Sequence, residues 1–508
     1  MPVHYPNGGP PTVPRLAKKT GPPLLENLPL ALTLDRQGLD ALHLQLAAQL
    51  RAGVTSGTLA AGVVLPGSRA LAGALGMTRG VVTLALAELA AEGVLDAVPG
   101  VGMRVATGAA RPSNTPTAAA LPAWFVAPPP APVDSGQRLE GISFKPGVAA
   151  SHLLDGRAWR AAWQAATRTP PGGDYGPAAG QWPLRVALAA FLARSRGLSV
   201  DPARLMVTAG SLSALGLIAG LLPRGSRILF ENPGYRAARQ VLLDAGHTVI
   251  SVPVDDNGLI TDDLPPARLA VVTPSHQYPL GVRMSVPRRL ALLEWARKHD
   301  ALIVEDDYDG EFRYGAPPLP PLTALDEESV GGGRVLYLGT LSKVLTPAVR
   351  TGFLVTPPAL LPALERARVL ADAGHNTVTQ DALTHFILAG HLDRHVRRAR
   401  RWHGQQQAAL ASALSPLTEG TQPLAHLGGI EAGLHACLHL TPPLKAEAVA
   451  AALAQHGVFV GTLSPFMTGE TAQQALVLGY GGLTVAQIGA GARAIVEVIH
   501  AQSSRLAP

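Results

Sequence analysis

The stretch Val335-Leu-Tyr-Leu-Gly-Thr-Leu-Ser-Lys343-Val-Leu-Thr-Pro-Ala-Val-Arg350-Thr-Gly-Phe-Leu-Val355 decides how most of this chain is read. It is a short apolar strand, a small polar turn holding one lysine, and a second apolar strand. Lys343 stands where the first strand ends, and Arg350 follows seven residues later. A lysine so placed can be desolvated and lowered in pKa, which makes it a candidate amine nucleophile toward an aldehyde. A lysine on an ordinary surface loop would read the same way in isolation, so the flanking chain has to decide.

On both sides of this stretch, apolar β-type runs alternate with Ala/Leu-rich helical runs. The β-type runs are Leu205–Thr208, Arg227–Glu231, Thr248–Val252, Leu269–Thr273, Ala301–Glu305, Val335–Leu338 and Gly352–Val355. Such alternation predicts an α/β domain on a mixed, mostly parallel sheet, with ligands at the carboxyl ends of the strands. Polar residues gather at those ends. Ala209-Gly210-Ser211-Leu212 turns one strand into a helix whose free N–H groups suit a phosphate. Glu231-Asn-Pro-Gly-Tyr235 puts an aromatic after the next strand, placed to stack on a flat ring or simply to pack. Thr273-Pro-Ser-His276-Gln277-Tyr278-Pro-Leu-Gly281 follows a third, and no second ligand pattern accompanies His276, so no metal is expected there. Ala301-Leu-Ile-Val-Glu305-Asp306-Asp307-Tyr308 ends in three acids and a tyrosine. Alternation sends Asp306 and Tyr308 to one face and Glu305 and Asp307 to the other. Adjacent carboxylates need a cationic partner, either a metal or a pyridinium nitrogen. A phosphate turn, a stacking aromatic, Asp-x-Tyr and a lysine together describe a pyridoxal phosphate pocket.

The front of the chain reads differently. Residues 1–32 are rich in Pro and Gly and are expected to form a disordered tail. Leu39, Leu42, Leu46 and Leu50 recur at helical spacing. Pro66-Gly-Ser68-Arg-Ala-Leu-Ala-Gly-Ala-Leu75 predicts a short helix capped by Ser68. Gly76-Met-Thr78 predicts a turn, with Thr78 capping the next helix. Val94 to Val105, broken by Pro99-Gly100 and Gly102, predicts a hairpin. Three helices and a hairpin over 33–107 describe a winged helix-turn-helix, an α+β module. Ser68, Arg69, Thr78 and Arg79 at the helix starts and Arg104 on the hairpin are its candidate DNA contacts. The module holds five Arg, no Lys and five acidic residues, so DNA affinity has to come from a doubled contact set or from charge elsewhere. Arg394, Arg397, Arg398 and Arg401, on one face of a predicted helix, are the candidate source; a solvated face or partner carboxylates are the alternative. Residues 108–140, with Pro112, Pro116, Pro122, Pro128-Pro-Pro130 and Pro132, read as a semi-extended linker to a domain over 141–503.

The head resembles the GntR family through Leu65-Pro-Gly-Ser-Arg-Ala-Leu-Ala72, Leu75-Gly-Met-Thr-Arg-Gly-Val-Val82, Leu89-Ala-Ala-Glu-Gly-Val-Leu95 and Pro99-Gly-Val-Gly102; Gly67 departs from a common serine. The larger part resembles the fold-type I aminotransferases, and the whole chain the MocR subfamily of GntR regulators. By that resemblance Lys343 carries the cofactor's covalent link, Asp306 pairs with the pyridine nitrogen, Tyr308 meets the ring oxygen and Tyr235 stacks on the ring. Gly210, Ser211, Leu212, Thr340 and Arg350 hold the phosphate, and Tyr175 reaches the phosphate of a partner subunit in a homodimer. Two positions depart from the enzyme pattern. Tyr278-Pro-Leu-Gly281 lacks the enzymes' asparagine, leaving His276 or Gln277 to take its place. Leu476-Val-Leu-Gly-Tyr-Gly481 has Val477 where the enzymes carry an arginine that clamps the substrate carboxylate. The expected function is therefore a regulator that senses pyridoxal phosphate, first of vitamin B6 synthesis or salvage, second of another amine or amino-acid pathway with such an effector. An aminotransferase with a vestigial head is the rival.

Composition agrees. A chain of 508 residues predicts two or three domains. With 47% hydrophobic and 15% charged residues it has material for a large core. Its one cysteine, Cys437, excludes an intrachain disulfide and a thiolate cluster, as expected in a reducing cytosol. No compact apolar leader or membrane span is apparent, so a cytoplasmic location is expected. A formal charge of +6 permits a double-stranded DNA partner.

Overall fold

The computed structural model describes residues 28–36, 38, 40–108, 140–314, 319–327, 333–469 and 472–506. The chain divides into two compact units, Met1–Pro129 and Pro130–Pro508. The expected tail lies outside the described residues as far as 27, and the expected linker does so over 109–139.

In the first unit, helices Leu42–Thr55, Ser68–Leu75 and Arg79–Ala91 precede an antiparallel hairpin of Leu95–Val98 and Gly102–Val105. Leu46, Leu50, Leu71, Val82, Leu86, Leu89 and Val105 close one apolar core. Leu28 and Leu32 are 5% exposed and belong to the same core. The tail expectation therefore fails at 28–32. Gln49 Oε1 accepts from Thr33 N at 2.8 Å and Gln45 Oε1 from Asp35 N at 2.9 Å, which ties the incoming chain along the first helix. Gly76 ends the second helix in the left-handed conformation, φ 60°, as the expected turn requires. The cap expectation is corrected: Gly67 holds the N-cap position of the second helix and Ser68 is its first residue. Thr78 sits at the N-cap of the third helix, but its side chain makes no capping bond.

In the second unit, the described residues form an eight-stranded sheet in the order Leu205–Thr208, Gly352–Val355, Val335–Thr340, Leu302–Asp307, Leu269–Val272, Arg227–Asn232, Thr248–Asp255, Gly258–Leu259. The strands from Val335–Thr340 to Thr248–Asp255 pair in parallel, while Gly352–Val355 runs antiparallel to both of its neighbours. Leu205–Thr208, Leu269–Val272, Val335–Thr340 and Gly352–Val355 are buried at every position, as strands covered on both faces must be. Cores on the two faces of the sheet join it to the helices.

A second, antiparallel sheet follows, ordered Ala425–Gly428, His435–Leu440, Ala475–Gly479, Gly461–Thr462. It packs with helices His391–Thr418 and Val485–Leu506. No described helix is long and apolar enough to cross a membrane.

Candidate functional site

Strand register brings the candidate residues together. Val335–Thr340 and Leu302–Asp307 are parallel neighbours with Leu338 opposite Asp306. The residues that follow, Lys343 on one and Tyr308 on the other, therefore emerge at the same edge. Leu205–Thr208 and Gly352–Val355 are antiparallel with Thr208 opposite Gly352. Gly210, two residues past the end of one strand, thus lies near Arg350, two residues before the start of the other. Asp306, Tyr308, Lys343, Gly210 and Arg350 line one cavity with Ser211, Leu212, Tyr235 and Thr340. Gly210 has φ 114°, which a side chain would resist, and it opens the helix Ser211–Leu221. Arg350 is left-handed, φ 46°, a conformation a non-glycine residue rarely holds.

The acid run resolves side by side. Glu305 accepts from the backbone N of Leu322 at 2.9 Å and of Thr323 at 3.0 Å, with the Arg289 guanidinium 3.9 Å away. Asp307 is ion-paired with the buried Arg196 and accepts from the Tyr337 hydroxyl at 2.7 Å. Asp306, on the other face, has an oxygen with no hydrogen-bond partner among the described residues. Burial, then Asp307, Asp309 and Glu231, push its carboxyl up to about 7, with Lys343 pulling the other way. Two of the three acids have arginine partners inside the protein; the third faces the cavity and still needs a cation.

Lys343 donates to the Gly147 carbonyl at 2.7 Å. Burial lowers its pKa, opposed by Asp309 and Asp306 and assisted by Lys145. The amine is thereby closer to its neutral, nucleophilic form. Thr340 turns its side chain to accept from Ser342 N at 3.1 Å. Tyr235 and Tyr278 meet edge to face with centroids 5.8 Å apart, and Tyr278 meets Tyr308 likewise at 5.8 Å. Tyr278, Pro146, Gly147, Thr273, Ser342 and Pro347 complete the lining. Reading the sequence missed them, although Tyr278 stood in the quoted Tyr-Pro-Leu-Gly motif.

Two expected residues lie elsewhere. His276 is outside the lining, behind Tyr308, with Nδ1 3.0 Å from the Tyr308 hydroxyl and 3.0 Å from Asp309 Oδ2. The ground for discounting a metal there does not hold, because the fold brings His276, Asp309 and His435 within 4.8 Å of one another. Gln277 is turned away and donates to Glu231 and to the Pro233 and Tyr278 carbonyls. Tyr175 is 75% exposed and lies outside the lining. Val477 is fully buried, paired with Cys437 across the second sheet and packed with Val254, Leu280 and Leu463. Val477 is thus an apolar core residue of the second sheet.

In the first unit Arg79 Nε donates to Ser68 Oγ at 3.2 Å, joining the starts of the second and third helices. Arg69, Thr78 and Arg79 are exposed. Arg104 faces Asp96 across the hairpin at 3.9 Å.

These two units define a class: a DNA-binding head carried with an aminotransferase-type domain. Residues 42–105 match the model of bacterial regulatory proteins of the gntR family, and residues 148–495 that of aminotransferase class I and II. The chain belongs to the MocR-type transcriptional regulators of the GntR family. It is 35% identical to the HTH-type pyridoxine biosynthesis transcriptional regulator PdxR of Corynebacterium glutamicum, covering 90% of this chain and 95% of that one. It is 33% identical to the probable rhizopine catabolism regulatory protein MocR of Rhizobium meliloti, covering 89% and 92%. Among solved structures it resembles the multiple substrate aminotransferase from Thermococcus profundus, with TM-score 0.66 and 27% identity over 73% of this chain and 93% of that one.

Proposed function

We propose that the second unit binds pyridoxal phosphate and that binding changes how the head engages an operator. The observation that carries this reading is the unpartnered, deeply set Asp306 carboxylate in the same cavity as Lys343. A ring nitrogen bearing a proton is the cation this carboxylate lacks. The N–H groups at the start of Ser211–Leu221, with Thr340 and Arg350, suit the phosphate. Tyr235 would lie on the ring, Tyr308 at its oxygen, and Lys343 would provide the attachment point. When bound, the cofactor supplies an electrophilic aldehyde carbon and an electron-withdrawing ring. The protein holds Lys343 close to its neutral form, orients the ring, and fixes the phosphate.

Val477 turns the reading toward sensing. Nothing at that position can clamp a carboxylate in two directions, so an α-amino acid would not be held for proton transfer. Pyridoxal phosphate itself is then the effector, and control of vitamin B6 synthesis or salvage is the function we favour. The kinship with PdxR supports that choice; the kinship with MocR supports a regulator of another amine pathway. The chain would work in the cytoplasm as a homodimer, with Tyr175 serving the partner's site.

The test is DNA binding by the whole chain to its own upstream sequence, with and without pyridoxal phosphate. A shift in affinity or footprint on adding the cofactor is expected. Binding that ignores the cofactor, together with steady conversion of an amino acid and a 2-oxo acid, would favour an aminotransferase.

A further inference from the structure

Behind the cavity, Tyr308, His276 and Asp309 form a chain of contacts. His276 and Asp309 are 2% and 1% exposed. His276 Nε2 is 3.2 Å from the Gly429 carbonyl, a group that can only accept. His276 Nδ1 is 3.0 Å from Asp309 Oδ2 and 3.2 Å from Oδ1. With the Gly429 carbonyl at Nε2 and an ionised Asp309 at Nδ1, both nitrogens donate. The ring then carries both protons and forms an ion pair with Asp309. Gly433 presses on this pair: a side chain there would come within 2.2 Å of His276 Nδ1 and 2.4 Å of Asp309 Oδ2.

Tyr308 shares His276 Nδ1, at 3.0 Å. A phenol has one proton to give. If Nδ1 were bare, the Tyr308 O–H would turn to it and leave only an acceptor facing the cavity. With Nδ1 already donating, that option is closed. Burial, then Asp309, Tyr278, Asp306 and Glu231, hold Tyr308 well above the usual phenol range, so its proton stays in place. His435 stacks beside His276 with centroids 4.7 Å apart. Burial keeps its ring neutral, and it donates Nε2–H to the Pro279 carbonyl at 3.0 Å.

We propose that the Asp309–His276 pair is a positioning device: by holding both protons on the imidazole it keeps the Tyr308 O–H directed into the cavity, to donate to the ring oxygen of the bound cofactor. This rests on the pyridoxal phosphate reading above. It gives His276 a role different from that of the missing asparagine, acting on the ring through Tyr308 rather than touching it. The groups facing this network are Asp306, Glu231, Tyr278, His435 and Lys343.

The test is the pH midpoint of the visible absorption band of the whole chain loaded with pyridoxal phosphate. Tyr308→Phe should move the midpoint by about one pH unit, the effect of losing one charge-assisted hydrogen bond. Asp309→Asn should move it in the same direction by at least half as much, and should add nothing in the Tyr308→Phe background. A midpoint unmoved by Asp309→Asn while Tyr308→Phe shifts it overturns the positioning role and leaves cofactor binding intact. Absence of any band in the unsubstituted chain sinks the cofactor reading and this one with it. If Asp309→Asn does not fold, nitrogen-15 spectra of labelled histidine in the unsubstituted chain decide, with His276→Gln identifying the signal. Both ring nitrogens of His276 protonated supports the proposal; one bare nitrogen overturns it.

Discussion

Replacing Asp306 by Asn should stabilise the cofactor-stripped protein and weaken the loaded one. The carboxyl moves from an ordinary 3.8 to about 7 in the fold. That corresponds to roughly 4 kcal/mol against the folded state once the group is ionised in both states. Asp306 opens onto the cavity, whose water screens part of this, and the new amide is itself imperfectly bonded. About 2 kcal/mol is therefore the expected gain. The sign follows from linkage. A carboxyl raised in the folded state binds more protons folded than unfolded between about pH 4 and pH 7, so native stability falls across that window. The advantage of Asp306→Asn should be full above pH 7 and vanish below about pH 4. Thermal or urea unfolding of stripped protein at several pH values reads it. With pyridoxal phosphate in excess the order should reverse, because the amide cannot match a protonated ring nitrogen. A stripped Asp306→Asn protein less stable than its parent at pH 8 would refute the claim that this carboxylate waits for a cation.

Other outcomes follow from the same geometry. Arg350→Ala should weaken pyridoxal phosphate binding roughly tenfold or more while leaving binding of phosphate-free pyridoxal nearly unchanged, as absorbance titration would show. Arg196→Met leaves Asp307 charged and unpaired in the core, and should cost about 3–5 kcal/mol in urea unfolding. Leu32→Ala should cost the head about 2 kcal/mol if residues 28–32 are core rather than tail. Arg79→Ala should reduce the salt slope of operator binding by about one. Alanine at Arg394, Arg397 and Arg401, all exposed on one helix, should flatten that slope further; an unchanged slope rejects a phosphate-contacting role for this face.

The strands were legible because strands covered on both faces are continuous apolar runs with polar ends. Leu205–Thr208 and Gly352–Val355 fall where the sequence places them, and the others differ by a residue or a few at their ends. Asp306 and Tyr308 sharing a face followed from alternation alone. What was not legible depends on distant segments. Arg196 closes a helix far from Asp307, and no local pattern announces their pairing. His435 comes from the second sheet, so the cluster around His276 exists only after folding. His276 looked like a pocket residue because it follows a strand, yet the Tyr278 side chain takes the lining. Leu28 and Leu32 were hidden by the Pro- and Gly-rich context of 1–32, which outweighed a sparse apolar spacing.

Absorbance on adding pyridoxal phosphate to the whole chain and to Lys343→Ala tests the central claim most directly. The unsubstituted chain should develop the visible band of a lysine-linked cofactor, and Lys343→Ala should not. A band that persists in Lys343→Ala, or its absence in both, would contradict the account.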